Sequence, residues 1–155
     1  MAKVPEAPRA RTARLSLEEQ VFQSLILAAD RLLQGEIEVL RVADLTFSQY
    51  NVLRILRGAT PEALSCTTIS QRMLTRDSDL TRLLDRLEER ALVTRVRDAR
   101  DRRMLCTAIT DAGLQLLRKL DGPVGRVHRE QLKHMPPKQL ETLCALADAV
   151  RGGRI

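Results

Sequence analysis

The stretch DSDLTRLLDRLEERALVTRVRDARDRRMLCTAIT, residues 77–110, changes its period halfway along. In its first half Leu80, Leu83, Leu84 and Leu87 fall at i, i+3, i+4 and i+7, which is one apolar face of a helix. Ser78, Thr81, Arg82, Asp85 and Arg86 take a similar spacing on a second face. Hydroxyls and guanidinium groups are what reach phosphates and base edges. The plainer alternative is a solvated face of i,i+4 charge pairs. From Val93 the period becomes two. Val93, Arg95 and Arg97 alternate with Thr94, Val96 and Asp98, and Met104, Cys106 and Ala108 alternate with Leu105, Thr107 and Ile109. The polar turn DARDRR (98–103) joins them, so this half reads as a β-hairpin. Arg95, Arg97, Arg100, Arg102 and Arg103 crowd its base and tip, opposed only by Asp98 and Asp101.

Upstream, TTISQRML predicts a short helix over Thr67–Leu74, and a brief turn at Thr75–Arg76 leads into the helix over 77–90. Two helices so joined outline a helix-turn-helix. An arginine-rich hairpin directly after it is a wing, whose tip suits the negative potential of a minor groove. Further upstream, Thr46 and Gln49 form a capping box, with Leu45 and Tyr50 at the staple positions. Val52, Leu53, Ile55 and Leu56 supply that helix's buried face, Gly58 ends it, and GATPEALS (58–65) is a loop. Ser16 and Glu19 open another helix, which Leu17, Val21, Leu25, Ala28, Leu32 and Leu33 carry to about Arg41. That length exceeds the needs of one small domain, so part of its apolar surface is expected to meet another chain. Residues 1–14 (MAKVPEAPRARTAR) have no apolar period and read as a disordered basic tail.

Downstream, Leu114, Leu117, Leu120, Val124, Val127 and Leu132 mark a helix from Thr110 to about His134, expected to kink at Gly122-Pro123 rather than split in two. Pro136-Pro137 starts a last helix with Leu140, Leu143, Leu146, Ala147 and Val150 as its stripe, and Gly152-Gly153 ends it.

Composition narrows the function. A net charge of +6 favours a polyanionic partner, though many basic proteins bind none. Phe22, Phe47 and Tyr50 are the only aromatic residues. Modules that read RNA or single strands stack bases on aromatic platforms, which this chain lacks the residues to build, so duplex DNA is favoured. Cys66, Cys106 and Cys144 form no CxxC pair, which argues against a disulfide framework and suits a reducing compartment. Cys66, at the start of the short helix, is the candidate redox thiol, with a buried filler as the plainer alternative. Cys106 and Cys144 read as structural. His128 and His134 lack metal-ligand spacing, so no metal is expected. No GxGxxG, P-loop, GxSxG or HExxH pattern occurs, and neither catalytic residues nor a cofactor are expected. No apolar run has the length of a membrane span and no apolar leader block is present, so a cytoplasmic protein without membrane contact is expected.

Three stretches carry a resemblance: LTFSQYNVLRIL (45–56), LTRLLDRLEERALVTRVRDARDRR (80–103) and ITDAG (109–113). The D-R-R between wing strands, followed by IT-x-x-G at a helix start, is the specific part. The chain resembles the MarR family of bacterial winged helix-turn-helix regulators over about Ser16–Arg151. The resemblance implies a mainly α fold with a small β-hairpin wing, forming a single domain over 15–155. Within it, 45–110 would be the DNA-binding lobe, and 16–41 with 111–151 the helical dimerisation region of a two-fold homodimer. The helix over 77–90 would enter the major groove. Thr81 and Arg82 would approach bases and Arg86 a phosphate. Thr68 and Ser78 would cap or contact the DNA backbone, and Arg76 would lie at the same surface. Arg103 would enter the minor groove with Asp101 holding its guanidinium, and Arg100 and Arg102 would lie near phosphate.

The function so implied is a dimeric repressor of a palindromic duplex site, released by a small effector, aromatic in many members, for which Tyr50, Arg54 and Arg57 are the candidate lining; a core tyrosine with surface arginines is the plainer alternative. Two alternatives stay open: a winged-helix protein-interaction module without sequence-specific DNA binding, and a thiol-based redox-sensing regulator acting through Cys66. The chain departs from the family pattern at Ala91, where many members carry Gly. Either the turn there differs or it carries strain on the order of 1 kcal/mol, because Ala resists the left-handed conformation that Gly tolerates.

Overall fold

The computed structural model describes residues 15–75, 79–97 and 105–152. It divides into a unit ending at Arg31 and a unit beginning at Leu32. In chain order the elements are α1 (Leu17–Val42), α2 (Phe47–Ala59), β1 (Leu64–Ser65), α3 (Cys66–Arg72), α4 (Leu80–Glu89), β2 (Val93–Arg97), β3 (Leu105–Ile109), α5 (Asp111–Leu132) and α6 (Pro137–Gly152).

The first unit holds the start of α1. The Ser16 N–H donates to Glu19 Oε2 at 2.8 Å, and Ser16 Oγ accepts from the Glu19 N–H at 3.2 Å, so the expected capping box is made. Leu17, Val21, Phe22, Leu25, Ile26 and Leu27 are all exposed.

The second unit holds the core. Leu40, Val52, Leu53, Leu56, Ile69, Leu87, Val93 and Leu117 are fully buried, drawn from the end of α1, from α2, α3, α4, β2 and from α5. The box at the start of α2 also forms. Thr46 N–H donates to Gln49 Oε1 at 2.9 Å, and Thr46 Oγ1 accepts from Gln49 N–H at 3.2 Å. Leu45 and Tyr50 are both buried beside it, as a hydrophobic staple requires. α2 runs through Gly58 to Ala59 instead of stopping at Gly58, which takes no positive φ. The stop comes at Thr60, ahead of Pro61, whose ring cannot continue a helix.

The sheet has three antiparallel strands in the order β1-β3-β2. β2 and β3 are the expected hairpin, with Val93 opposite Ile109 and Arg97 opposite Leu105. β1 lies inside the stretch read as a loop, pairing Leu64 with Thr107 and Ser65 with Cys106. Two residues are too few to show a period, and their hydrogen-bond partners come from the distant edge of β3. α3 begins one residue earlier than expected, because Ser65 Oγ caps it by accepting from Thr68 N–H at 3.1 Å, and it ends two residues earlier, at Arg72.

α1 and α4 end in the same way. After α1, Leu45 N–H donates to Leu40 O at 3.1 Å and Asp44 N–H to Arg41 O at 3.0 Å. After α4, Leu92 N–H donates to Leu87 O at 3.0 Å and Ala91 N–H to Glu88 O at 2.8 Å. These are Schellman closures, and in each the flanking leucine pair (Leu40 with Leu45, Leu87 with Leu92) is buried. The left-handed position is Asp44 (φ 52°) in the first and Ala91 (φ 55°) in the second. The turn at Ala91 therefore keeps the left-handed geometry and carries the strain. Arg90 joins the two closures by donating from Nη1 to Asp44 O and from Nη2 to Ala43 O, the latter at 3.0 Å.

β3 passes directly into α5. Thr110 Oγ1 accepts from Gly113 N–H at 3.1 Å and donates to Ala91 O at 2.7 Å, while Thr110 N–H donates to Leu92 O at 3.1 Å. The capping threonine thus also pins the turn after α4. α5 is one helix through Pro123, as expected. α6 has no buried residue, and Leu143, Leu146 and Val150 stand exposed on it.

Candidate nucleic-acid interface

α4 is two-faced. Leu80, Leu83, Leu84 and Leu87 are buried in the core, while Thr81, Arg82 and Arg86 are exposed. Asp79 caps the helix by accepting from Arg82 N–H at 3.3 Å, and its Oδ2 lies 3.5 Å from Arg82 Nε. That contact draws the Arg82 side chain back along the helix start while leaving it in solvent. Thr68, read as a cap or a DNA-backbone contact, lies in the first turn of α3 with its hydroxyl 2.9 Å from Oγ of the capping Ser65. Arg76, Ser78, Arg100, Asp101, Arg102 and Arg103 lie outside the described residues.

The start of α2, which the sequence reading did not single out as a site, lies beside the exposed face of α4. Thr46, Ser48 and Gln49 share a recess of about 290 Å³ with Asp79, Arg82, Leu83 and Arg86. The capping box at Thr46 was the available signal, because a helix N-terminus presents unpaired N–H groups and favours anions.

Arg95 was counted among the wing arginines. Its guanidinium is instead turned onto α4. Nη2 donates to the Asp85 carboxylate and to Thr81 O, the latter at 3.5 Å, and Nε lies 3.5 Å from Glu88 Oε2. Its backbone N–H donates to Glu88 Oε1 at 3.1 Å. Nothing in a local pattern marks an arginine that reaches ten residues back.

A second recess, of about 250 Å³, is lined by Leu32, Leu33, Glu36, Phe47, Tyr50, Asn51, Arg54, Leu74 and His128. It brings together two of the three residues expected around an effector. The Arg54 guanidinium carbon lies 5.8 Å from the Tyr50 ring centroid, a cation–π distance. Burial pushes the Tyr50 phenol above its ordinary pKa, against the opposing pull of the Arg54 charge. His128 Nε2 lies 3.1 Å from Oε2 of the buried Glu36, and Asn51 Oδ1 accepts from Leu74 N–H at 2.9 Å. Arg57 does not line this recess. Its Nη1 donates to both Asp121 carboxylate oxygens, at 3.0 and 2.9 Å, joining α2 to α5.

Cys66 is exposed as the first residue of α3, and a surface depression places it with Thr67, Ser70, Gln71 and Thr81. Cys106 is buried, as a structural residue should be. Cys144, also read as structural, is exposed on α6, which has no buried residue. Among the described residues there is no group of three or more His, Cys, Asp or Glu able to hold a metal, and no helix is long and apolar enough to cross a membrane.

A helix-turn-helix made by α3 and α4, with a β2–β3 wing behind it, defines a winged-helix regulator. Residues 43–104, from the end of α1 into the wing, match the MarR family model. The chain belongs to the MarR family. It is 35% identical over 106 residues to the HTH-type transcriptional regulator TtmR of Methylorubrum extorquens (strain PA1), covering 68% of this chain and 53% of that one. It is 30% identical over 115 residues to the HTH-type transcriptional regulator SarZ of Staphylococcus saprophyticus, covering 74% and 77%. The chain therefore spans about half the length of the first relative and about three quarters of the second.

Among solved structures it is similar to a MarR transcription factor from Planctomyces limnophilus, with a TM-score of 0.67, 38% identity, and 87% and 98% of the two chains covered. It is also similar to Sco3205, a MarR family transcriptional regulator from Streptomyces coelicolor in complex with DNA, with a TM-score of 0.79, 25% identity, and 92% and 91% covered. These relatives are transcription regulators, not enzymes.

Proposed function

We propose that the chain is a cytoplasmic, homodimeric repressor of a palindromic duplex DNA site, released when a small anionic aromatic molecule occupies the Tyr50–Arg54 recess. The observation that carries the DNA reading is the division of α4 into a buried leucine face and an exposed face of Thr81, Arg82 and Arg86. The similarity to Sco3205, solved with DNA, supports the same reading. In it α4 enters the major groove, where Thr81 and Arg82 approach bases and Arg86 a phosphate. The wing lies at the minor groove, with Arg103 inserted and Asp101, Arg100 and Arg102 beside it. Arg76 and Ser78 flank the helix start. Residues 45–110 form the DNA-binding lobe, and 16–41 with 111–151 the dimerisation region. The exposed apolar stripes of α1 and α6 support a dimer, since stripes of this kind mark protein contacts. Two-fold symmetry sets the half-sites about one helical turn apart.

The experiment is a gel shift with DNA selected from random duplexes by the purified protein. Salt-sensitive binding to a palindrome, with Arg82→Ala and Arg103→Ala each losing at least tenfold in affinity, is expected. Binding without sequence preference, or unaffected by both changes, overturns the reading. The effector has its own readout. The chain has one tyrosine and no tryptophan, so tyrosine fluorescence reports Tyr50 alone. Benzoate is expected to quench it saturably in the wild type, and Arg54→Ala to weaken that response.

A further inference from the structure

We infer that Arg95 is a positioning residue: it locks the wing strands to the recognition helix and masks that helix's own carboxylates, rather than touching DNA. The inference rests on the DNA-binding reading above. Arg95 sits in β2 opposite Thr107 of β3, so hairpin pairing fixes its backbone. Its side chain crosses to one stripe of α4, where Thr81, Asp85 and Glu88 follow at helical spacing and each supplies an acceptor. Glu88 is held twice, by Nε and by the Arg95 backbone N–H. The Arg95 side chain is only 22% exposed, whereas that of Arg82 is 77% exposed. A guanidinium has five donors in a rigid fork, and aiming three contacts at one helix fixes both distance and rotation.

Charge acts in the same direction as these contacts. Asp85 and Glu88 are half-exposed carboxylates on a helix proposed to approach phosphates. Unpaired, they would repel the DNA backbone. Arg95 turns them into an internal cluster, so the cation that neutralises the helix comes from the wing. A wing displaced from α4 then exposes negative charge to DNA at the same moment as it loses register.

A double-mutant cycle tests this. Arg95→Met is expected to weaken binding at least tenfold while leaving the slope of log affinity against log salt within a few tenths of wild type, since no phosphate contact is lost; a phosphate contact would lower the slope by about one. Asp85→Asn alone should weaken binding, because it loosens the lock. In the Arg95→Met background the same change should strengthen binding, because it removes an unmasked carboxylate. Arg95→Lys should fail to rescue, lacking the planar fork. A slope reduced by one, or Asp85 effects that add with the same sign in both backgrounds, overturns the inference. Hydrogen exchange on the free protein separates this failure from failure of the DNA reading. Arg95→Met and Asp85→Asn should each lower protection of the Val93–Arg97 amides, and the double variant should lower it no further. Unchanged protection in both single variants overturns the lock even if no DNA is bound.

Discussion

Ala91 and Asp44 occupy equivalent positions, yet they do not carry equivalent strain. Both are the left-handed residue of a Schellman closure, at φ 55° and 52°. A short polar side chain such as Asp tolerates that region, while Ala meets its carbonyl and gains nothing in return. Ala91→Gly is therefore expected to stabilise the protein by about 1 kcal/mol. A higher denaturant midpoint at unchanged slope would show it, and a lower midpoint would refute the strain. Gly113 is the opposite case. A Cβ there would stand 2.4 Å from Leu92 O and 2.7 Å from Ile109 Cγ1, and Leu92 O is already tied to Thr110 N–H. Backbone cannot yield as a flexible side chain does. Gly113→Ala should cost about 1–3 kcal/mol, read from the same denaturation curves. The glycine of IT-x-x-G was visible as a pattern, but its reason is this contact between α5 and the turn after α4.

Tyr50 gives a third prediction at the residue scale. Its pKa in the folded protein is raised by burial, so the folded state holds the phenolic proton more tightly than the unfolded state does. The associated stability is fully present below the ordinary tyrosine value, and is lost as pH rises from there through the folded value. With one tyrosine in the chain, the absorbance of tyrosinate titrates this group alone. Its midpoint should lie above that of the same protein in denaturant, and Arg54→Ala should raise it further by removing a nearby positive charge.

At the scale of elements, the DNA-reading unit is held by polar ties at the ends of its helices. The Thr46 box fixes the start of α2, Arg90 holds the end of α4 to the end of α1, and Thr110 ties the start of α5 to the turn at Ala91. Thr46→Ala should cost about 1 kcal/mol, the usual worth of an N-cap. Because Thr46 also borders the recess with Arg82 and Arg86, Thr46→Ser is the control that separates capping from any effect on DNA affinity. The boxes at Ser16 and Thr46 were legible because both partners lie three residues apart in the chain. β1 was not, because its pairing partners are supplied by β3.

At the scale of the whole molecule, apolar side chains stand uncovered along two helical stretches among the described residues. One runs along Leu17–Leu27 in the first unit, and the other along Leu143–Val150 in the second. Uncovered leucine and phenylalanine side chains are costly in water at roughly 25 cal/mol per Å² of apolar surface, which is why burial against a second copy is proposed. Phe22→Glu combined with Leu146→Glu is expected to produce monomers in sedimentation velocity. Specific DNA affinity should fall in parallel, since one half-site then binds alone. A monodisperse dimer from the double variant would place the interface elsewhere.

Local order was written in the residues. The periods of 3.6 and 2, the capping boxes and the switch between α4 and the wing follow from interactions within a few positions, so composition and spacing sufficed to read a winged helix-turn-helix. Tertiary structure alone decided which of the many arginines turn back onto the protein. Arg95 turns onto Asp85 and Glu88, Arg57 onto Asp121 and Arg90 onto the end of α1, while Arg82 and Arg86 remain in solvent. A long cationic side chain goes to whichever acceptors the folded backbone brings within reach, and those acceptors lie far away in the chain.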